Sequence, residues 1–226
     1  MSLIVKDYND ELLYAPISRF FGIDDNEQRI IDSVKKDAFE RCMFCFTHIN
    51  NNKFNTNGIQ PYHCVQYGMW LYFLSNTIFN RFKNVEEAIN LCDKIFMINM
   101  SFTQMDIYYG HKMPDIFLPT HTSGSVFTPL SQIGNYFMFS HGCNIGLNVN
   151  PNTPPIIGEG VIMMGHAKIV GNCHVGDHVI FSANSYIKDM DIPSNSIVFG
   201  QYPNVVIKED KKGMALEILN QRFMVR

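Results

Sequence analysis

The sequence predicts an α+β protein in which an N-terminal all-α domain precedes a parallel β-helix built from hexapeptide repeats. Over residues 1–105, apolar residues recur at three- and four-residue spacing, as they do on the buried faces of helices. Beyond residue 105 the apolar period becomes six, which is typical of a β-helix and of neither an α-helix nor an ordinary strand. We therefore expect an α-helical domain over 1–105, a β-helix over 106–207 and a C-terminal tail over 208–226.

Three helices are expected in the first segment. Asp24 and Asp25 can cap the start of a helix whose apolar face recurs over 30–46. The stretch NNNKFNTNG then breaks this pattern and is expected to form a loop. A second helix, over 62–82, is apolar nearly all round and should be buried, and a third follows over 85–100.

The hexapeptide period is most regular in the second half of the chain. Apolar residues follow one another there at intervals of six, at Ile157, Met163, Ile169, Val175, Phe181 and Ile187. The same period occurs upstream with two breaks. A step of eight from Pro119 to Phe127 inserts two residues around His121, and the stretch LNVNPNTPPI, with three prolines, must leave the coil as a loop. Functional residues are often found where loops interrupt a rigid scaffold.

Composition and charge exclude several classes of function. A formal net charge of −3 gives no basic surface for nucleic acid. No apolar run is long enough to span a membrane, and the N-terminus lacks the pattern of a secretory signal. Cys42 and Cys45 form a CxxC pair with no second pair to complete a zinc site. We expect a cytoplasmic protein with buried free thiols and no bound metal, since the nearby His166 and His178 should face different sides of the coil.

The segment DIYYGHKMPDIFLPTHTSGSVFTPLSQIGNYFMFSHGCNIGL (106–147) resembles the active-site segment of the serine acetyltransferase family of hexapeptide-repeat acyltransferases. The alignment has no gap, and Asp106 and His121 fall on the family's catalytic Asp and His. The stretches GEGVIMMGHAKIVGNCHVGDHVIFSANSYI and VFGQYPNVVI resemble its later repeats and exit strand. This resemblance implies a left-handed β-helix, acetyl-CoA as co-substrate and a homotrimer, with pairing of two trimers into a hexamer as a further option.

The residues also support general-base chemistry in their own right. Moving an acetyl group from a thioester to a hydroxyl requires a base, and histidine titrates near neutrality. Asp106 is the expected partner that orients the ring of His121. His141 should lie beside His121 in the adjacent coil, about 5 Å away, because the two residues occupy equivalent repeat positions. Substrate binding, tuning of His121 and simple stacking all stay open as roles for His141.

The resemblance also implies where acetyl-CoA binds. In the family the pantetheine arm lies along an edge of the coil, and Gly165 and Ala183 fall on those positions, with Gly146 nearer the active site. Lys168 matches a family lysine that could meet a phosphate, although an ordinary exposed lysine is an equal alternative. The backbone N–H of Gly124 is a candidate donor to the oxyanion that forms during transfer.

The match fails at the positions that hold serine in the family. Thr120 stands where the family has an acid, and NPNTPPII replaces a loop that carries an Arg-His pair. Without these charges a zwitterionic amino acid loses its partners. The expected acceptor is therefore a sugar or glycan precursor of a cell-envelope polysaccharide, bound by Thr120, Asn148, Asn150 and Asn152. Serine O-acetylation in cysteine biosynthesis is the first alternative, and a non-catalytic hexapeptide-repeat scaffold is the second.

Overall fold

The computed structural model describes residues 3–149 and 152–224, so Asn150 lies outside the described residues. Its helical elements are a 3-10 turn (Glu11–Leu13), α1 (Ala15–Phe21), α2 (Asp25–Thr47), α3 (Cys64–Phe82), α4 (Glu86–Thr103) and α5 (Met214–Arg222). Its strands are β1 (Met105–Ile107), β2 (Phe117–Pro119), β3 (Ser125–Phe127), β4 (Gln132–Ile133), β5 (Phe137–Phe139), β6 (Asn144–Gly146), β7 (Asn148–Val149), β8 (Asn152–Thr153), β9 (Ile156–Ile157), β10 (Ile162–Met163), β11 (Lys168–Val170), β12 (His174–Val175), β13 (Ile180–Phe181), β14 (Tyr186–Lys188), β15 (Ser196–Gln201) and β16 (Asn204–Glu209).

The N-terminal helices pack around α3. The sequence predicts the start of α2 correctly: the Asp24 side chain accepts hydrogen bonds from the backbone of Asn26 and Glu27, and Glu27 accepts one from Asp24 in return. As expected from its apolar sequence, α3 is buried along most of its length, and Trp70 at its centre has no exposed surface. No helix among the described residues combines the length and apolar character needed to cross a membrane.

The second part of the chain is a left-handed parallel β-helix with three faces. The first face contains β2, β5, β10 and β13, the second contains β1, β3, β6, β11 and β14, and the third contains β4, β9 and β12. In the regular coils, paired residues lie eighteen positions apart, as in the pairs Ile162–Ile180 and Lys168–Tyr186. This spacing is three hexads, so one hexad forms each side of a coil.

The register confirms both predicted breaks in the repeat. Phe117 pairs with Phe137, twenty positions later, because two extra residues lie at the intervening corner that carries His121. Ile133 pairs with Ile157, twenty-four positions later, because residues 147–155 leave the coil. Within this loop β7 and β8 form an antiparallel pair.

The C-terminal segment contains a strand and a helix. β16 pairs antiparallel with β15, and α5 follows it. Beyond α5 the chain returns to the helical domain, where the buried Phe223 forms a bridge with Ile49. The backbone N–H of Asn50 donates to the carbonyl of Arg222 at 2.8 Å. This contact holds the end of α5 beside the loop that follows α2.

His111 is buried where the helical domain meets the first coil. The hydroxyl of Tyr72 donates to the His111 carbonyl at 2.7 Å, and the ring Nε2 lies 3.2 Å from the carbonyl oxygen of Ser131. Burial lowers the pKa of His111 to about 4, since the charged ring would lose its hydration.

We expect the free energy of unfolding to fall as the pH is lowered from about 6.5 towards 4. Unfolded His111 gains a proton near pH 6.5 but folded His111 does so only near pH 4, so the unfolded state binds more protons between these values. The stabilising contribution of neutral His111 is complete above pH 6.5. Its loss lowers the free energy of unfolding by about 3 kcal/mol at and below pH 4. Chemical denaturation at several pH values measures this slope. His111→Leu should have a smaller slope, and an unchanged slope would contradict the assignment.

Candidate active site

His121 projects from the corner between the first and second faces. This corner is tied to the end of α4, because Thr122 Oγ1 donates to the carbonyl of Thr103 at 2.6 Å and the Gly124 N–H donates to that of Gln104 at 3.0 Å. The ring of His121 is exposed, and its nitrogens form no hydrogen bond with the described residues. The Gly124 N–H, a candidate donor to the oxyanion, thus already donates to a backbone carbonyl within the chain.

Three imidazole rings follow one another along the edge that begins at His121. The ring centroids of His121 and His141 are 6.1 Å apart, and those of His141 and His166 are 4.8 Å apart. The first distance agrees with the adjacent-coil position expected for His141, whose role stays a prediction. His166 was not expected on this edge. It adopts a positive φ of 62° and its N–H donates to the carbonyl of His141 at 2.8 Å, which turns its side chain towards His141.

Glycines make room for these rings. A Cβ atom on Gly165 would lie 2.8 Å from Cε1 of His141, and one on Gly142 would overlap the ring of His166. In the next coil, the N–H of Asn184 donates to the carbonyl of Gly165 at 2.9 Å, and the neighbouring Ala183 is exposed. Gly165 and Ala183, predicted to contact acetyl-CoA, therefore lie on the same edge as His121.

The other two predicted cofactor residues lie on the second face. Gly146 pairs with Val170 at the end of β6, and Lys168 opens β11 with an exposed side chain. Lys168 forms no ion pair with the part of the chain that the structure describes. Their roles towards acetyl-CoA stay predictions.

Asp106 lies on the face that adjoins the His121 corner. It occupies the middle of β1, opposite Val126 of β3, and is partly buried. Desolvation raises the pKa of its carboxyl group. No hydrogen bond or ion pair joins this carboxylate to His121 or to any other residue within 3–149 and 152–224. The role of Asp106 towards His121 therefore stays a prediction.

The predicted acceptor-binding residues occupy different corners. Thr120 is beside His121, but its N–H and Oγ1 both donate to the carbonyl of Phe139, at 2.8 and 3.1 Å. Asn148 and Asn152 lie in the loop between the second and third faces, where the Asn148 amide donates to Asp189. Within a single chain, this loop is therefore separated from His121 by a whole face.

A cavity of about 270 Å³ opens beside His121. The coil provides one wall, and the other comes from the loop after α2, the start of α3 and the end of α5. Its lining residues are Asn51, Lys53, Phe54, His63, Val65, Leu118, Pro119, Thr120, His121 and Arg222. No sequence pattern indicates Lys53, His63 or Arg222 as site residues, because only the folded chain brings these distant segments together. Burial and the charge of Lys53 lower the pKa of His63.

Within the described ranges, no three His, Cys, Asp or Glu side chains are arranged to hold a metal ion. All six cysteines are free thiols, and Cys42 and Cys45 are buried as expected. Burial raises the pKa of Cys45 to about 12. This thiol is therefore protonated and unreactive at neutral pH.

No family model matches the chain. The chain is 26% identical over 146 residues to serine acetyltransferase of Staphylococcus aureus, across 64% of this chain. The matched region spans 65% of that relative, just under two thirds of its length.

Solved structures of serine acetyltransferases resemble this fold. The Neisseria gonorrhoeae enzyme gives a TM-score of 0.71 at 16% identity, covering 94% of this chain and 84% of its own. A serine acetyltransferase in complex with CoA gives 0.66 at 17% identity, covering 90% and 86%. At these identities, the structural likeness shows a shared fold.

Proposed function

We propose that this chain is a member of the serine acetyltransferase family of hexapeptide-repeat proteins, which it resembles in sequence and in fold, and that it transfers an acetyl group from acetyl-CoA to a hydroxyl group. The observation that carries this proposal is the exposed, unbonded His121 ring at an insertion in the coil, facing the cavity. His121 accepts the hydroxyl proton while the acceptor oxygen attacks the thioester carbonyl. The tetrahedral intermediate then expels the CoA thiolate, which takes up the proton from His121.

We propose that the pantetheine arm of acetyl-CoA lies along the edge that carries the three histidines. The missing side chain of Gly165 leaves space against His141, and the next coil presents only the small Ala183. A relative of the same fold is known in complex with CoA. Gly146 and Lys168 are proposed to contact other parts of the donor.

We propose L-serine as the acceptor, in place of the sugar or glycan favoured by the sequence. The similar proteins named above are serine acetyltransferases. Within one chain, the described residues that suggested a sugar do not converge on one site, since Thr120 bonds to backbone and Asn148 and Asn152 lie at another corner.

We expect the purified protein to release CoA from acetyl-CoA at least about tenfold faster with L-serine than with neutral sugars. Thiol release gives the rate, and mass spectrometry of the product identifies the acetylated hydroxyl. Faster transfer to a sugar would restore the glycan alternative. A complete lack of transfer to every acceptor would favour a non-catalytic scaffold.

We further propose a homotrimer formed through the sides of the β-helix, with pairing of trimers through the helical domain as a further option. Val126, Leu130 and Ile156 expose between 40% and 50% of their surface on the coil. Apolar side chains on the flat sides of a solenoid are commonly covered by a neighbouring subunit. A cytoplasmic location stays a prediction.

A further inference from the structure

The cavity beside His121 is lined by two positively charged residues. The neutral residues that were predicted to bind the acceptor gave no indication of this charge. Lys53 and Arg222 approach the cavity from the loop after α2 and from the end of α5, and the lining residues within the described ranges include no acidic side chain. We propose that Lys53 and Arg222 bind a carboxylate group of the acceptor and thereby determine its specificity. This inference rests on the proposed acetyl transfer and identifies which groups select the acceptor.

Neither cation has a partner among the residues that the structure describes. The side chains of Lys53 and Arg222 form no ion pair or hydrogen bond with any residue in the described parts of the chain. By contrast, Lys94 pairs with Glu27 at 2.7 Å, and Arg41 donates to Asn76 at 2.8 Å. The charges at the cavity are therefore free to bind an anion.

Hydrogen bonds to the backbone anchor both residues beside the cavity. The carbonyl of Lys53 accepts hydrogen bonds from the side chains of Gln60 and Gln66, at 3.1 and 2.8 Å. The carbonyl of Arg222 accepts one from the N–H of Asn50 at 2.8 Å. The two charged residues are thus anchored on one continuous wall, opposite the strand end that leads to His121.

The charge and size of the cavity favour a small carboxylate. Its volume of about 270 Å³ lies just below the range of about 300–1,000 Å³ that is usual for drug-sized ligands. Arginine binds the two oxygens of a carboxylate with parallel hydrogen bonds, and lysine adds a point charge. The loop NPNTPPII lacks the positive charge that would bind the carboxylate of serine, and this absence argued against serine as the acceptor. Lys53 and Arg222 supply such a charge from another part of the chain.

L-serine and L-serinamide test the inference, because they differ only in the carboxylate. We expect Lys53→Met and Arg222→Met each to raise KM for L-serine by roughly 10- to 100-fold, the value of one charged hydrogen bond. Their KM values for L-serinamide and acetyl-CoA should stay within about twofold. Lys212→Met is the matched control, since Lys212 is exposed on the turn before α5. A rise in KM for acetyl-CoA alone, or an unchanged KM for serine, would overturn the inference.

A binding measurement separates this inference from the proposed reaction. Calorimetric titration with L-serine and D-glucuronate requires no turnover. If carboxylate binding weakens in the Lys53 and Arg222 variants but not in the Lys212 variant, the result supports the binding site. This holds even if no acetyl group is transferred, because a lack of transfer would overturn only the proposed function. A wild-type protein that binds neither carboxylate, or that transfers acetyl only to neutral sugars, would overturn the inference.

Discussion

Replacing His121 with asparagine is expected to lower kcat/KM for acetyl transfer by about 100- to 10,000-fold, the usual contribution of a general base. Asparagine keeps a polar side chain of similar size but cannot take the proton from the acceptor hydroxyl. The fold should survive, because the His121 ring is exposed and bonds to no residue in the described ranges. Thiol release from acetyl-CoA gives the rate, and circular dichroism checks the fold.

His174→Asn is the matched control for this substitution. His174 is also exposed, but it lies on the third face, where its ring approaches Asp191 at 3.1 Å. Its replacement should change the rate by no more than about twofold, as is usual for an exposed residue. An equal loss in both variants, or an unchanged rate in His121→Asn, would exclude His121 as the base.

The coil could be predicted because its geometry repeats in the sequence. Each side of a coil is one hexad long and places one apolar residue in the core. Met163, Ile169 and Phe181 are such residues, and all three have no exposed surface. The short helices α1 and α5 could not be predicted in the same way. Their buried residues, Ile17 and Leu219 among them, are few, and these helices are stabilised by contacts with distant parts of the chain.

The site residues that follow the repeat could likewise be predicted, whereas those outside it could not. Counting hexads is enough to place His121 and His141 on one edge, since both follow a buried position by two residues. The count did not single out His166, which lies three residues after a buried position and shares the left-handed backbone of the equivalent corner residues Tyr136, His178 and Asn184. Lys53 and Arg222 carry no periodic signal at all, and only the return of the chain after α5 brings them to the cavity.

Phe117→Ala is expected to lower the free energy of unfolding by about 3–5 kcal/mol. Phe117 has no exposed surface, and its ring lies 5.9 Å from that of Tyr72 and 5.8 Å from that of Phe73. Its backbone also exchanges hydrogen bonds with the Cys45 thiol. Truncation would therefore leave a void where α2 and α3 meet the first coil, which is too tightly connected to close around it.

Urea denaturation followed by the fluorescence of Trp70, the chain's single tryptophan, measures this loss from inside the helical domain. Phe199→Ala is the matched control, because Phe199 lies on β15 with 38% of its surface exposed, and it should cost less than about 1 kcal/mol. If Phe117→Ala lowers the free energy of unfolding no more than this control does, the junction between the helices and the first coil contributes little to stability. If it costs the expected amount, α3 and β2 unfold together, and the helices stabilise the strand that leads into the His121 corner.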